Sequence, residues 1–172
     1  KKLMYSGDGA GPVFWNESGD SGVETLERWR SCLPKKDWKD GRSAKLLAET
    51  WLPALGFPRG FKVALDREES LRRLVLHRAY IEKRTSTPGR GPASATDLMA
   101  VCENKTGKVI VAVEAKVDEG FDVPLKQWLV SGTSPNSATN RKYRATQICN
   151  VLGTSCTKMK GVNYQLLHRT YS

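Results

Sequence analysis

Histidine is scarce in this chain: only His77 and His168 occur among its 172 residues. Cys32, Cys102, Cys149 and Cys156 form no CxxC pair, so together with so little histidine they leave no zinc-binding spacing. An even count of cysteines does not by itself make a disulfide framework in a chain of this size, and the four read as buried, reduced thiols. Long apolar runs are lacking as well. Nothing approaches the ~20 apolar residues that span a bilayer, and the N-terminus has no apolar signal-peptide core, which predicts a cytoplasmic protein with no membrane partner. Acidic residues are missing from the last stretch: residues 123–172 hold seven Lys or Arg and no Asp or Glu.

What is present reads as an ordinary globular protein, 39% hydrophobic and 27% charged with five Trp. The length suits one domain with a complete core, here residues 1–172 with 1–20 as an irregular, Gly- and Ser-rich arm. The net charge of +10 is unevenly spread. Residues 1–58 carry +1, residues 59–90 carry +5, residues 91–122 carry −3 and residues 123–172 carry +7. A basic chain with a small acidic island suits a phosphate-backbone binder with a cation site, because Lys and Arg hold the polyanion while carboxylates hold the metal. A solvated basic surface with no partner is the competing explanation.

Periodicity predicts a helix at about 22–33, opened by Ser21 and Glu24 as a capping box, with Val23, Leu26, Trp29 and Leu33 on its apolar face. A second helix is capped by Ser43 and buries Leu47, Ala48 and Trp51; Glu49 on it reads as a surface residue. Asp66 and Glu69 open a short helix, and β-branched and aromatic content then predicts a strand at about 76–86. PGRGPASA is a loop. Strands follow at 96–103 and 108–117 around a turn at Asn104 to Gly107. VPLKQWLVSG reads as helix, TSPNSATN as loop, RKYRATQICNVLG as a helix ending at Gly153, and VNYQLLHRT as a final strand.

The hairpin at 96–117 carries the chemistry. If Glu103 pairs with Lys108, facing positions sum to 211 and Asp97 stands opposite Glu114. A tighter turn at Thr106-Gly107 would set Asp97 opposite Lys116. Either register puts Asp97, Glu114 and Lys116 on one face, with facing Cβ atoms roughly 4.5–5.5 Å apart. Two carboxylates at that spacing can ligate one Mg²⁺, and the ammonium can stabilise the charge that develops as a phosphodiester is cleaved. Glu103-Asn104-Lys105 fits Glu-x-Lys as text but fails on geometry, since Glu103 lies six residues, about 20 Å, along the strand from Asp97. The apolar VIVAV run feeding into these charges also argues for a purpose beyond a solvated hairpin.

This hairpin resembles the core of the PD-(D/E)XK nuclease superfamily, the restriction-endonuclease-like proteins, in which a strand-borne Asp leads through a hairpin to a strand carrying Glu-x-Lys. Within it, SATDLMA, VEAKVDEGFD and YQLLHRT are similar to segments of a bacterial restriction-endonuclease-like group. The resemblance covers about residues 66–169, and Thr96 stands where the motif usually has proline. It implies an α/β fold with a mixed central sheet flanked by helices (αβββαβ, preceded here by the N-terminal helices). It also implies Asp97 and Glu114 as metal ligands for Mg²⁺ or Mn²⁺, the Ala115 carbonyl as a further ligand, Lys116 as the catalytic lysine, and duplex DNA as partner. Restriction or defence against foreign DNA is the implied role, and a homodimer an assembly to test, although no distinctive dimerisation helix is evident. Glu82 is a candidate third carboxylate and Gln165 a candidate polar group projecting from the last strand. Weaker candidates are His168 and Arg169 as phosphate contacts, against strand-end residues in solvent, and Asp118, Glu119 and Asp122 as metal-proximal acids, against a solvated turn. His77 and Ser94 read as structural, and Trp38, Trp128 and Tyr143 as base-stacking platforms or core. The rival expectation is a nuclease-like fold without catalysis that binds nucleic acid or protein.

Overall fold

A computed structural model describes residues 11–132 and 134–171. It is a mixed α/β protein whose four-stranded sheet has the order β1 (Phe14–Trp15), β2 (Val75–Thr85), β3 (Ser94–Asn104), β4 (Gly107–Val113). β1 runs parallel to β2, and β3 runs antiparallel to β4. The expected mixed sheet flanked by helices is therefore present. The chain forms two compact units, one from the described residues of Lys1–Lys83 with Thr96–Val117, the other from Arg84–Ala95 with the described residues of Asp118–Ser172.

In the first unit the sheet packs against α1 (Leu26–Ser31) and α2 (Ser43–Trp51), burying Phe14, Trp29, Trp51, Ile81, Leu98 and Cys102 in one core. On β3 the even positions from Ser94 to Cys102 are buried and the odd ones are more exposed, as a strand period of two requires. β4 alternates in the same way, and Ile110 is exposed. The VIVAV run is thus half-solvated, and its apolar content alone does not mark a buried strand end.

Several expected boundaries shift for identifiable reasons. Helix α1 begins at Thr25, whose hydroxyl accepts from the Arg28 amide, so Ser21 and Glu24 are not its cap. Ser43 lies inside α2 and Arg42 holds the capping position without a side-chain hydrogen bond. Asp66 and Glu69 do not open an α-helix: Arg59–Leu65 is helical (α3), Asp66 ends it, and Glu69–Leu71 is a single 3-10 turn. Residues 1–10 of the expected arm lie outside the described residues. From residue 11 onward the arm is built structure, because Phe14 and Trp15 pair with Ala79 and Tyr80 and the Asn16 Oδ1 accepts from the amides of Gly19, Asp20 and Ser21.

The second unit is helical, with α4 (Leu125–Val130), α5 (Pro135–Val151) and α6 (Tyr164–Tyr171) enclosing Leu125, Ala145, Ile148, Cys149, Tyr164 and Leu167. Residues 135–140, expected as loop, are the first turns of α5: Ser134 caps it by accepting from the Ser137 amide, and Pro135 occupies the first position, where no amide is needed. The expected final strand is helix α6. Tyr164, Leu167 and Tyr171 recur at helical spacing and pack into this second core. Trp128 is a packing residue, its ring stacked 3.5 Å from that of Tyr164 with Arg141 over it at 4.8 Å. Trp38 packs against the first core, while Tyr143 is exposed.

Among the described residues no helix is long and apolar enough to cross a membrane.

Candidate active site

Strands β3 and β4 pair in the first of the two anticipated registers: Glu103 faces Lys108 and Leu98 faces Val113. The Asn104 side chain shapes the intervening turn by accepting from the Thr106 amide at 3.0 Å. Backbone pairing stops at Leu98 and Val113, one position before Asp97 would meet Glu114. There the Asp97 side chain takes over from the ladder. Its Oδ2 accepts from the Ala115 amide at 2.8 Å, tying β3 to the chain just beyond β4. Lys116 Nζ lies 3.3 Å from Glu114 Oε1, with side chains 24% and 12% exposed. That burial places the pair in a setting where charge interactions are stronger than in bulk water.

Asp97, Glu114, Ala115 and Lys116 thus gather at one end of one hairpin in the first unit. Ala115 enters through its N–H, a contact that no sequence pattern announced. Asp97 and Glu114 carry hard carboxylate oxygens, the kind of donor Mg²⁺ takes while keeping several waters. Among the described residues no group of three or more His, Cys, Asp or Glu is assembled for a metal.

Glu82 is on the strand that neighbours β3, and the remaining candidates lie on helix α6, in the turn after β4 or near the hairpin turn. Glu82 lies on β2 at φ 53°, in the left-handed region that non-glycine residues seldom adopt. Burial is the main reason the Cys32 thiol is raised above its ordinary value, and the Glu82 charge adds to the shift. Gln165 is on helix α6 of the second unit, not on a strand, and its Oε1 accepts from the Asp122 amide at 3.3 Å. His168 and Arg169 also lie on α6, where both reach the buried Ser94: His168 Nδ1 is 3.0 Å from Ser94 Oγ, and Arg169 donates to the same oxygen. They join α6 to the start of β3 within that unit. Asp118, Glu119 and Asp122 form an exposed turn with local hydrogen bonds. His77 pairs with Glu103 at 3.3 Å near the hairpin turn, which keeps Glu103 away from Asp97.

Thr96, beside Asp97, is fully buried and its hydroxyl has no hydrogen-bond partner among the described residues. A buried unsatisfied hydroxyl costs roughly 1–3 kcal/mol. Thr96→Val keeps the shape and removes the orphaned group, so the variant is expected to gain about 1 kcal/mol in denaturant unfolding at unchanged m-value. A loss of stability would mean that the hydroxyl is satisfied.

A family model matches residues 22–172. The chain belongs to that family, described as a domain of unknown function (DUF6946). No curated protein and no solved structure matches it.

Proposed function

We propose that this DUF6946 chain is a Mg²⁺-dependent nuclease hydrolysing DNA phosphodiesters, with its centre at the end of the β3–β4 hairpin. The observation that carries the reading is the hydrogen bond from the Ala115 amide to Asp97, which brings Asp97 to the Glu114-Ala115-Lys116 segment just past the last ladder pair. Asp97 and Glu114 would hold the cation, with the Ala115 carbonyl as a third donor. When bound, the ion would supply neutralising charge for the phosphoryl oxygens and a more acidic water. The protein does the rest. The Ala115 amide fixes the orientation of Asp97, and Lys116 balances Glu114 at rest and can turn its ammonium to a phosphate oxygen as negative charge develops there. Residues 59–90 and 123–172, with net charges of +5 and +7, supply cations for the polyanion. Restriction or defence against foreign DNA is the cellular role this chemistry suits, and a homodimer would bring two such centres to a duplex.

A second reading has its own support. The bond from Asp97 to the Ala115 amide also caps the end of the strand pair, as a purely structural aspartate would, and the fold would then serve as a nucleic-acid or protein-binding module. Incubating the chain with linear duplex, supercoiled and single-stranded DNA in Mg²⁺, Mn²⁺ or EDTA separates the two. Cleavage of duplex with either metal and none in EDTA is expected. DNA retention without cleavage in any metal would leave the binding module.

A further inference from the structure

The second unit holds a pair of thiols that the hydrolytic reading does not use. Cys149 lies in the last turn of α5 and is buried, and Cys156 lies in the following turn and is half-buried. Their sulfurs are 3.5 Å apart. The two residues are seven positions apart in sequence, and the chain doubles back between them, with Gly153 at φ 65° and the Thr154 amide donating to the Cys149 carbonyl at 2.9 Å. A disulfide needs its sulfurs about 2.05 Å apart, so closure asks each sulfur to move less than 1 Å. The other two cysteines, Cys32 and Cys102, belong to the first unit.

We propose that Cys149 and Cys156 are a reversible redox-modification site that takes a peroxide as oxidant and closes to an intramolecular disulfide. The step balances in two parts. The more accessible Cys156 thiol attacks the peroxide O–O bond and becomes a sulfenic acid, releasing water or an alcohol. Cys149 then attacks that sulfur, the S–S bond forms as the S–O bond breaks, and a second water leaves. Two thiols are oxidised and one peroxide is reduced. Burial first, and then the contact with Cys156, push the Cys149 thiol up to about 11, which disfavours it as the first thiol to meet the oxidant.

The bond would staple the end of α5 to the segment that leads into α6 and hydrogen-bonds the start of α4. Lys160 and Val162 accept from the Lys126 and Leu125 amides at 3.1 and 2.8 Å, and Tyr164 donates to Val123 at 3.0 Å, so this segment holds the base of all three helices. Oxidation is therefore expected to slow amide exchange at Leu125, Lys126 and Thr154.

The test uses the full chain, treated with a small molar excess of hydrogen peroxide, alkylated under denaturing conditions and digested with trypsin. Cys149 and Cys156 fall in one peptide, between Arg144 and Lys158. That peptide should lose two hydrogens and resist alkylation until reduced with dithiothreitol, while Cys32 and Cys102 remain alkylated. Cys149→Ser should leave a sulfenic acid on Cys156 that dimedone traps, and Cys156→Ser should leave Cys149 unmodified. The proposal is overturned if the wild-type peptide keeps both thiols, or if Cys156 proceeds to sulfinic acid with Cys149 still open to alkylation.

Discussion

Asp97→Asn is expected to lose Mg²⁺ binding and DNA cleavage while keeping the stability of the parent chain. The amide oxygen can still accept from the Ala115 N–H, which now bonds Asp97 Oδ2 at 2.8 Å, but the negative charge a cation needs is gone. Asp97→Ala should lose the same activity and also about 0.5–1.5 kcal/mol, the usual net value of one hydrogen bond. Glu114→Ala should likewise abolish metal binding and cleavage, with DNA binding retained or strengthened because a carboxylate no longer repels the phosphates. Lys116→Ala separates binding from chemistry. The carboxylates remain, so metal still binds, and cleavage falls by about 10²–10³-fold, the scale of one electrostatic stabiliser. Glu103→Ala should cut normally, since Glu103 sits near the turn beside His77. Calorimetric Mg²⁺ titration, denaturant unfolding and a cleavage time course read all five variants. An Asp97→Asn chain that cuts at the parent rate would leave Asp97 as a strand cap only, and cleavage lost in Glu103→Ala but kept in Glu114→Ala would overturn the site.

The hairpin was legible because its information is local. Asn104 and Gly107 mark the turn, side chains alternate with a period of two, and of the two registers that arithmetic on facing positions leaves open, the one with Glu103 against Lys108 is observed. The bond that closes the site was not legible, because it joins a side chain to a backbone amide beyond the last ladder pair, where no pattern of residue types requires it. Composition misled at both ends of the helical unit. Ser, Pro, Asn and Thr at 134–139 resemble a loop, yet Ser134-Pro135 is a helix start, and the YQLLHRTY segment has enough aromatic and aliphatic residues to pass for a strand until its packing against Leu125 and Ile148 decides for a helix. α3 escaped notice because it is only seven residues long and one of its apolar residues, Val63, is exposed: Phe61 and Leu65 share a helix face and pack on the first core alongside Phe57. A two-residue strand such as β1 has no periodicity to read, and its parallel partner lies more than sixty positions away.

Phe14→Ala is the variant that tests this last element, and its expected cost is the largest in stability. Phe14 is 1% exposed, its ring lies 5.1 Å from that of Trp29 at 49°, and its backbone pairs with Ala79 in β2. Removing the ring vacates the space between α1 and the sheet edge. A buried Phe→Ala change costs about 3–5 kcal/mol, partly from lost transfer energy and partly from the cavity left behind. An irregular surface arm would instead lose no more than about 0.5 kcal/mol. Should the alanine variant fail to fold, Phe14→Leu keeps the question open to measurement: it fills most of the volume, and its expected cost is below that of alanine. Trp15→Ala serves as the neighbour control, because Trp15 is half-buried and covers Arg78 at 5.0 Å, so its loss should cost less than that of Phe14. Denaturant unfolding followed by tryptophan fluorescence gives the comparison. If Phe14→Ala and Trp15→Ala both shift the midpoint by less than the equivalent of ~0.5 kcal/mol, the β1 strand contributes nothing to the first core and its pairing with β2 is wrong.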